Sequence, residues 1–526
     1  MSPIYTVRGY RTRSALLLIP VLLSAVVLFW NLPTLGLSHW DEYNYLETAE
    51  WFLRKPGAAF TIYEPPGFSF LVAVFFRLFG VQDYVAIAVS IVFAVATVAL
   101  VAYVGLRYFG LSVGLASPIL LLIMPLFITY SRMALTDVAF TFFYSLAMVT
   151  MYAAVKRRRR GDIIVSGLAL GACAMIKYNG FMPLIVFLIY GLVALWNVGD
   201  GKRLAVTLRS FQILIFTCIP ALVLGLLFIA FLGLSAELPT RRVFSLHAMK
   251  ILVLQAPTVL AKGFVKFMKA AVFYHSGQLA FIPFAHTPFY IEVLAFFVPT
   301  PVLVLAIIGI ARRNMRDGAD LFAAVWLLGS FFVVASFGAE YSRAILPTLP
   351  PLALCAGLGL IKLVAYLQSL SFPRPRLRLR VLTPLLLILV VVLSLPGAYQ
   401  AISIEHHGYR QAAEVLGTVQ AKGSVLADSQ PVIRFYTPVT FGQINDTTLS
   451  TNQYLVVDFV AAENGYMPRI QQLTEEGHLK LLATVPADLP TEVYLDSISF
   501  NQLAEWNYTY IQVYQIVNAT APTPST

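Results

Sequence analysis

Apolar runs separated by short polar or basic connections dominate residues 1–401. Eleven of them approach the length of a membrane-spanning helix: 14–32, 84–106, 112–130, 135–155, 163–176, 181–196, 211–234, 291–311, 321–338, 344–366 and 381–399. Roughly 20 apolar residues, rising about 1.5 Å each, cross a hydrocarbon core of about 30 Å. The pattern therefore predicts a polytopic α-helical membrane protein of about 11 spans. A further apolar run at 66–80 would rise only about 22 Å as a helix. With 47–54 it is read as an outer-face interfacial helix rather than a span. After residue 399 the pattern changes. Segments such as GSVLAD, QYLVVDF and TYIQVYQIV alternate with helix-like YRQAAEVLGTVQ and MPRIQQLTEEGH, predicting a small C-terminal α/β domain over 402–516 and a disordered tail at 517–526.

Charge orients these elements. The chain is 59% hydrophobic and 12% charged, which excludes a large soluble core. Its net charge of +11 is unevenly spread: residues 402–526 hold 12 acidic and 5 basic side chains, a balance of −7, which leaves +18 on residues 1–401. The excess sits in short blocks at 156–160, 202–203, 312–316 and 374–380, without the aromatic interleaving of a nucleic-acid surface. If 66–80 does not cross, all these blocks fall on the cytoplasmic side with the N-terminus. Arg8, Arg11 and Arg13 before the first run resemble the start of a signal peptide. No small-residue cleavage site follows, however, and ten more apolar runs do, so 14–32 is read as a span.

The same parity puts the loops 38–80, 132–137, 177–180, 235–290 and 340–343 on the outer face, with the C-terminal domain. Three glycosylation-type triplets, at Asn445, Asn507 and Asn518, lie in that domain and its tail. Cys173, Cys218 and Cys355 fall within apolar runs, with neither ligand spacing nor an evident pairing.

The outer loops hold the candidate chemistry. In 38–80, Asp41 and Glu42 are adjacent, followed by Glu47, Glu50 and the turn Tyr63-Glu64-Pro65-Pro66. A carboxylate pair beside a span suits acid–base work, though an aspartate there also suits a helix cap. Asp137 lies at the mouth of a span, where a site role competes with a local pair to Arg132. Lys177 and Arg343 each interrupt an apolar run, as anion donors or as snorkelling cations. The loop 235–290 contains His247, His275 and His286 among basic residues. It is read either as amphipathic helices lying on the membrane or as a solvated face.

Taken together, WDEYNYLETAEWFL, YEPPGFSFLVAVFFRLFG, YFGLSVGLASPILLLIMPLFITYSRMALTDVAFTFF, GLALGACAMIKYNGFMPLIV and EYSRAILPTLPPLAL, with a fainter HTPFY from His286, resemble the GT-C glycosyltransferases of the protein mannosyltransferase and aminoarabinose transferase type. The resemblance runs over about residues 10–360 in family order. It implies inverting transfer of a sugar from a polyprenyl-phosphate donor to an acceptor glycan, lipid or protein on the outer side of the bilayer. Asp41 would be the general base, with Glu42 and Asp137 as further catalytic candidates. Lys177, Arg343, His286, Arg132, Tyr63 and Glu64 would meet the donor phosphate or sugar. In the aminoarabinose branch a lysine often stands where this chain has Glu64. No cofactor is required by the sequence; Asp41, Glu42 and Asp137 would suit Mg or Mn, but no hard-ligand motif compels a metal. Two other functions fit a chain of this kind. One is a transporter or flippase of lipid-linked sugars, which would favour midplane charges and repeated halves. The other is a non-catalytic glycan-binding or assembly subunit.

Overall fold

The computed structural model describes residues 15–60, 65–157, 159–197, 200–237, 282–311, 318–336, 340–371, 375–419, 425–427, 430–437, 441–442, 453–487, 491–495 and 509–517, with a few short pieces at 255–265, 489 and 502. Tyr63, Glu64, His247, His275 and the three glycosylation-type triplets lie outside the described residues.

Up to Ser403 every described secondary-structure element is helical. In chain order these are α1 (Leu18–Leu28), α2 (Trp40–Phe52), α3 (Gly67–Phe79), α4 (Asp83–Val104), α5 (Leu111–Leu122), α6 (Pro125–Ser131), α7 (Thr136–Arg157), α8 (Arg160–Ile176), α9 (Met182–Asn197), α10 (Asp200–Glu237), α11 (Thr287–Phe297), α12 (Thr300–Ala311), α13 (Gly318–Ser336), α14 (Leu349–Ser371) and α15 (Pro375–Ser403). A 3-10 turn, Ser342–Thr348, precedes α14. Five described helical segments are individually long and apolar enough to cross a membrane, and two sharply bent pairs meet the same test together.

Those pairs differ from the expected straight runs. The run 112–130 is broken between α5 and α6 by a 68° bend, because Pro125 opens α6 while Met124 is extended. The run 291–311 is broken between α11 and α12 by 119°, where Val298 is extended ahead of Pro299. The first interfacial helix also starts earlier than the expected 47–54, at Trp40, and so takes Asp41 and Glu42 into its first turn.

Small residues let the helices approach closely. On α12 and α14, a methyl group at Gly309 would overlap the Cys355 carbonyl and one at Gly359 the Leu305 carbonyl. Gly67, at the start of α3, lies against the Met175 carbonyl near the end of α8, which brings the loop 38–80 up to the Lys177 turn. Outside these contacts, α1 exposes Leu18, Ile19, Leu22 and Val26, and α15 exposes Leu385, Ile388, Leu389, Val392, Leu393 and Leu395. Apolar faces of that extent suit lipid rather than water.

The C-terminal part is a five-stranded mixed sheet in the order β2-β1-β3-β5-β4, from β1 (Val425–Ala427), β2 (Phe441–Gly442), β3 (Tyr454–Val457), β4 (Leu479–Pro486) and β5 (Tyr510–Ile516). β1 is parallel to β2 and β3, whereas β5 is antiparallel to β3 and β4. Alternation sorts its side chains onto two faces. Val456, Ile511 and Val513 join the core shared with α16 (Gly408–Thr418) and α17 (Gln430–Tyr436). Leu455, Val457, Tyr514 and Ile516 pack with Ile470 and Leu473 on the other face. The first face belongs to the same buried cluster as the membrane helices, so the sheet is continuous with the bundle through α16 and α17.

Candidate active site

Asp41 is positioned by the start of α2. His39 caps the helix, its Nδ1 accepting from the Asp41 amide at 3.1 Å. Because that nitrogen already accepts a hydrogen bond, its 3.8 Å approach to Asp41 Oδ2 is not an ion pair. Glu42 completes the cap: its Oε2 accepts from the amides of Ser38 at 2.7 Å and His39 at 2.8 Å. Its Oε1 accepts from the Ala134 amide at 2.7 Å, which ties α2 to the turn before α7. Glu42 is wholly buried, and burial raises its pKa against the pull of those three amides. The carboxylate expected beside Asp41 as a catalytic candidate is thus occupied as a brace. Glu42→Ala would leave three buried N–H groups unmet, an expected loss of roughly 2–4 kcal/mol in stability. Thermal unfolding in detergent measures this, and an unchanged midpoint would remove the brace.

With its amide held by His39, Asp41 turns its carboxylate toward the 3-10 turn that precedes α14. Arg343 Nη2 donates to Asp41 Oδ2 at 2.7 Å, and both side chains are buried. Ser342, one residue earlier, meets the Tyr130 hydroxyl at 2.5 Å, which fixes the turn against α6. Burial alone would raise the Asp41 pKa. The Arg343 guanidinium, with Lys177 acting from farther away, overrides that and holds the carboxyl below the ordinary aspartate value.

The second acidic position forms a parallel pair. Lys177 Nζ donates to Asp137 Oδ1 at 2.6 Å, across the gap between the end of α8 and the first turn of α7. Asp137 Oδ2 is buried and has no hydrogen-bond partner among the described residues. The local pair between Asp137 and Arg132 does not form. Arg132 is fully buried and donates from Nη1 to the Trp30 carbonyl at 3.0 Å, just beyond the C-terminus of α1. Burial lowers its pKa to about 10.

The remaining expected residues meet other partners. His286 Nδ1 meets Glu340 Oε1 at 3.3 Å at an exposed position before α11. Glu50 pairs with Lys55, just past α2, at 2.6 Å, and Glu47 stands 3.5 Å from the Tyr43 hydroxyl. No group of three His, Cys, Asp or Glu side chains stands together among the described residues. Asp41 and Asp137 are each held by a cationic side chain that a Mg or Mn ion would have to displace. Among the described residues, this donor set therefore does not fit a metal centre.

One cluster was not legible in the sequence. Asp83, at the start of α4, accepts through Oδ2 from Arg410 and, at 2.7 Å, from the Tyr436 hydroxyl. Asp83 reads as a span-boundary charge, and its partners lie 327 and 353 residues away, with no local pattern to join them.

Comparison with known proteins agrees with this architecture. A family model of dolichyl-phosphate-mannose-protein mannosyltransferases matches residues 63–224, a stretch that includes Asp137 and Lys177 but neither Asp41 nor Arg343. ArnT from Cupriavidus metallidurans, solved bound to undecaprenyl phosphate, is similar with a TM-score of 0.58 and 15% identity, covering 95% of this chain and 98% of that one. The archaeal oligosaccharyltransferase AglB from Archaeoglobus fulgidus, in complex with an inhibitory peptide and a dolichol-phosphate, is similar with a TM-score of 0.50 and 14% identity, covering 81% of this chain and 64% of that one. No curated protein matches at the sequence level. The chain shares the overall fold of these two solved proteins. The family match relates the stretch 63–224 to the mannosyltransferases, in line with the resemblance carried by its motifs.

Proposed function

We propose that the protein is a membrane glycosyltransferase that moves a sugar from a polyprenyl-phosphate-linked donor to an acceptor on the outer face of the membrane, with inversion. The observation that carries this reading is the pairing of Asp41 with Arg343 and of Asp137 with Lys177, with Lys177 near enough for its charge to act on Asp41. Four separate segments thus supply two carboxylates and two cations as two ion pairs. That is the set an attack on a phosphate-activated sugar needs.

In this reading an acceptor hydroxyl attacks the anomeric carbon while the bond from that carbon to the phosphate oxygen breaks. The bonding pair leaves with the lipid phosphate, and the hydroxyl proton passes to Asp41. Arg343 and Lys177 receive the negative charge that grows on the leaving phosphate. Arg343 has a second consequence. While it sits on Asp41 it keeps the carboxyl acidic and therefore a weak base; as it turns toward the phosphate, the Asp41 pKa rises in the step that requires proton uptake. The unpartnered Oδ2 of Asp137 is placed to accept from a hydroxyl of either sugar or acceptor. Glu42 and His39 act by holding the start of α2. The positive-inside distribution of basic blocks supports an outward-facing site and an extracytoplasmic C-terminal domain.

The test is release of free polyprenyl phosphate from defined polyprenyl-phosphate sugars by the purified protein. Release by the wild type, and not by Asp41→Asn, supports the assignment; equal release by both would sink it. The two bent helix pairs also suit a transporter of lipid-linked sugars, which often uses broken helices. Movement of intact donor between leaflets without phosphate release would favour that reading.

The depressed Asp41 pKa also has a sign for pH dependence. The ionised carboxylate is favoured in the folded protein, so its stabilising contribution is present above the unfolded value near 3.8 and is lost as pH falls through the lower folded value. In kcat/KM, which reports the free enzyme, the acid limb assigned to Asp41 should lie below about 4. Conservative weakening of its partner by Arg343→Lys should move that limb upward.

A further inference from the structure

The segment between α1 and α2 opens with a 3-10 turn at Leu32–Thr34, and the residues that follow it bond to a distant part of the chain. Gly36 N donates to the Glu405 carbonyl at 2.9 Å. Leu37 N donates to the Tyr436 hydroxyl at 2.7 Å. The Leu35 carbonyl accepts from Arg410 Nη2 at 2.6 Å. Three consecutive residues are therefore fastened to the chain between 405 and 436, the part that follows the last membrane helix. The next two amides, Ser38 and His39, are those held by Glu42, and Asp41 follows.

Arg410 and Tyr436 do not reach the segment as loose side chains. Asp83 accepts from both, which joins the start of α4 to α16 and α17. The Arg410 guanidinium also lies over the Tyr436 ring, 5.8 Å from its centre. Tyr436 is partly buried, and desolvation pushes its hydroxyl pKa well up, so it remains a donor to Asp83 while accepting from Leu37. The contact leaves no slack at the backbone: a methyl group on Gly36 would meet the His406 carbonyl at 2.5 Å. Alongside, α17 packs on α2, and the charge of Arg434 acts on Glu47 and Tyr43.

We propose that Arg410 and Tyr436, locked by Asp83, are positioning residues that hold residues 35–37 and thereby set where α2 presents Asp41 to Arg343 and Lys177. The C-terminal region then completes the catalytic site from behind. This inference rests on the reading of Asp41 as the base. The physical reason is leverage: residues 38–40 alone separate the clamp from Asp41, and a misplacement of about 1 Å at a reacting group can cost about a hundredfold in rate.

The test uses full-length Tyr436→Phe, Arg410→Met, Arg410→Lys and Gly36→Ala proteins, with two readouts. In the transfer assay, Arg410→Met and Gly36→Ala should lower kcat by about tenfold to a hundredfold with donor KM within about twofold. Tyr436→Phe should lose less, and Arg410→Lys should recover part of the methionine variant's loss. In hydrogen exchange, the peptide over 35–46 should exchange faster in the same rank order, while strands β4 and β5 keep their protection. Unchanged exchange at 35–46 in both Tyr436→Phe and Arg410→Met overturns the clamp. So does faster exchange there with kcat intact, or an equal loss of protection across the whole sheet, which would mark a merely structural role. If Asp41→Asn transfers sugar normally, the base assignment fails instead, and the exchange measurement still decides whether the clamp holds the segment.

Discussion

Asp41→Asn is expected to reduce sugar transfer by about a hundredfold to ten-thousandfold, the usual range for removing a positioned general base. The substitution preserves shape, and the asparagine oxygen can still accept from Arg343, so α2 and its cap should remain in place. What disappears is the ability to take up the acceptor proton and the negative charge that competes with the donor phosphate for Arg343. The loss should therefore fall on kcat, whereas donor KM should stay level or decrease, since Arg343 becomes free to favour phosphate. Steady-state kinetics with varied donor, alongside a thermal midpoint, separates these effects. A loss confined to KM would place Asp41 in donor binding rather than proton transfer.

Lys177→Met should produce the second large effect, on both stability and activity. Its ammonium and the Asp137 carboxylate are 2.6 Å apart, with side chains 16% and 3% exposed. Removing one partner of a buried pair leaves the other charge without compensation, which costs about 3–5 kcal/mol, while removing both can be close to neutral. Lys177→Met alone should lower the unfolding midpoint markedly, and the double variant Asp137→Asn/Lys177→Met should regain most of it. Transfer should not recover with the fold, because the phosphate has lost a cation and the acceptor a carboxylate. A double-mutant cycle on stability and kcat tests both halves. Recovery of full transfer by the double variant would show the pair to be only structural.

The acidic loop 38–80 was legible as a candidate site because carboxylates are costly at a membrane boundary and therefore stand out there. Their partners were not. Arg343 lies 302 residues from Asp41, and no pattern along the chain distinguishes it from a snorkelling cation. For Asp137 the nearest cation along the chain is not the partner: Arg132 belongs to the turn that Glu42 braces at Ala134, and it reaches Trp30 instead. His286 was linked to the site by motif alone, and it faces Glu340. Glu42 looked catalytic by adjacency, yet the helix starting at Trp40 makes it the residue that closes the cap. The start of α2 could have been anticipated: His39 followed three residues later by Glu42 has the spacing of a capping box, though histidine is an unusual first member.

By itself the sequence determined the class of protein and proposed where its chemistry would lie. Apolar run length and the distribution of basic residues are one-dimensional properties, and the bilayer reads them directly as spans and sides. Only the tertiary structure decided which cation meets which carboxylate, where the apolar runs bend, and that the C-terminal segment grips residues 35–37 ahead of Asp41. Those outcomes depend on helix rotation, close approach at small residues and contacts between positions hundreds of residues apart, none of which hydropathy or spacing encodes.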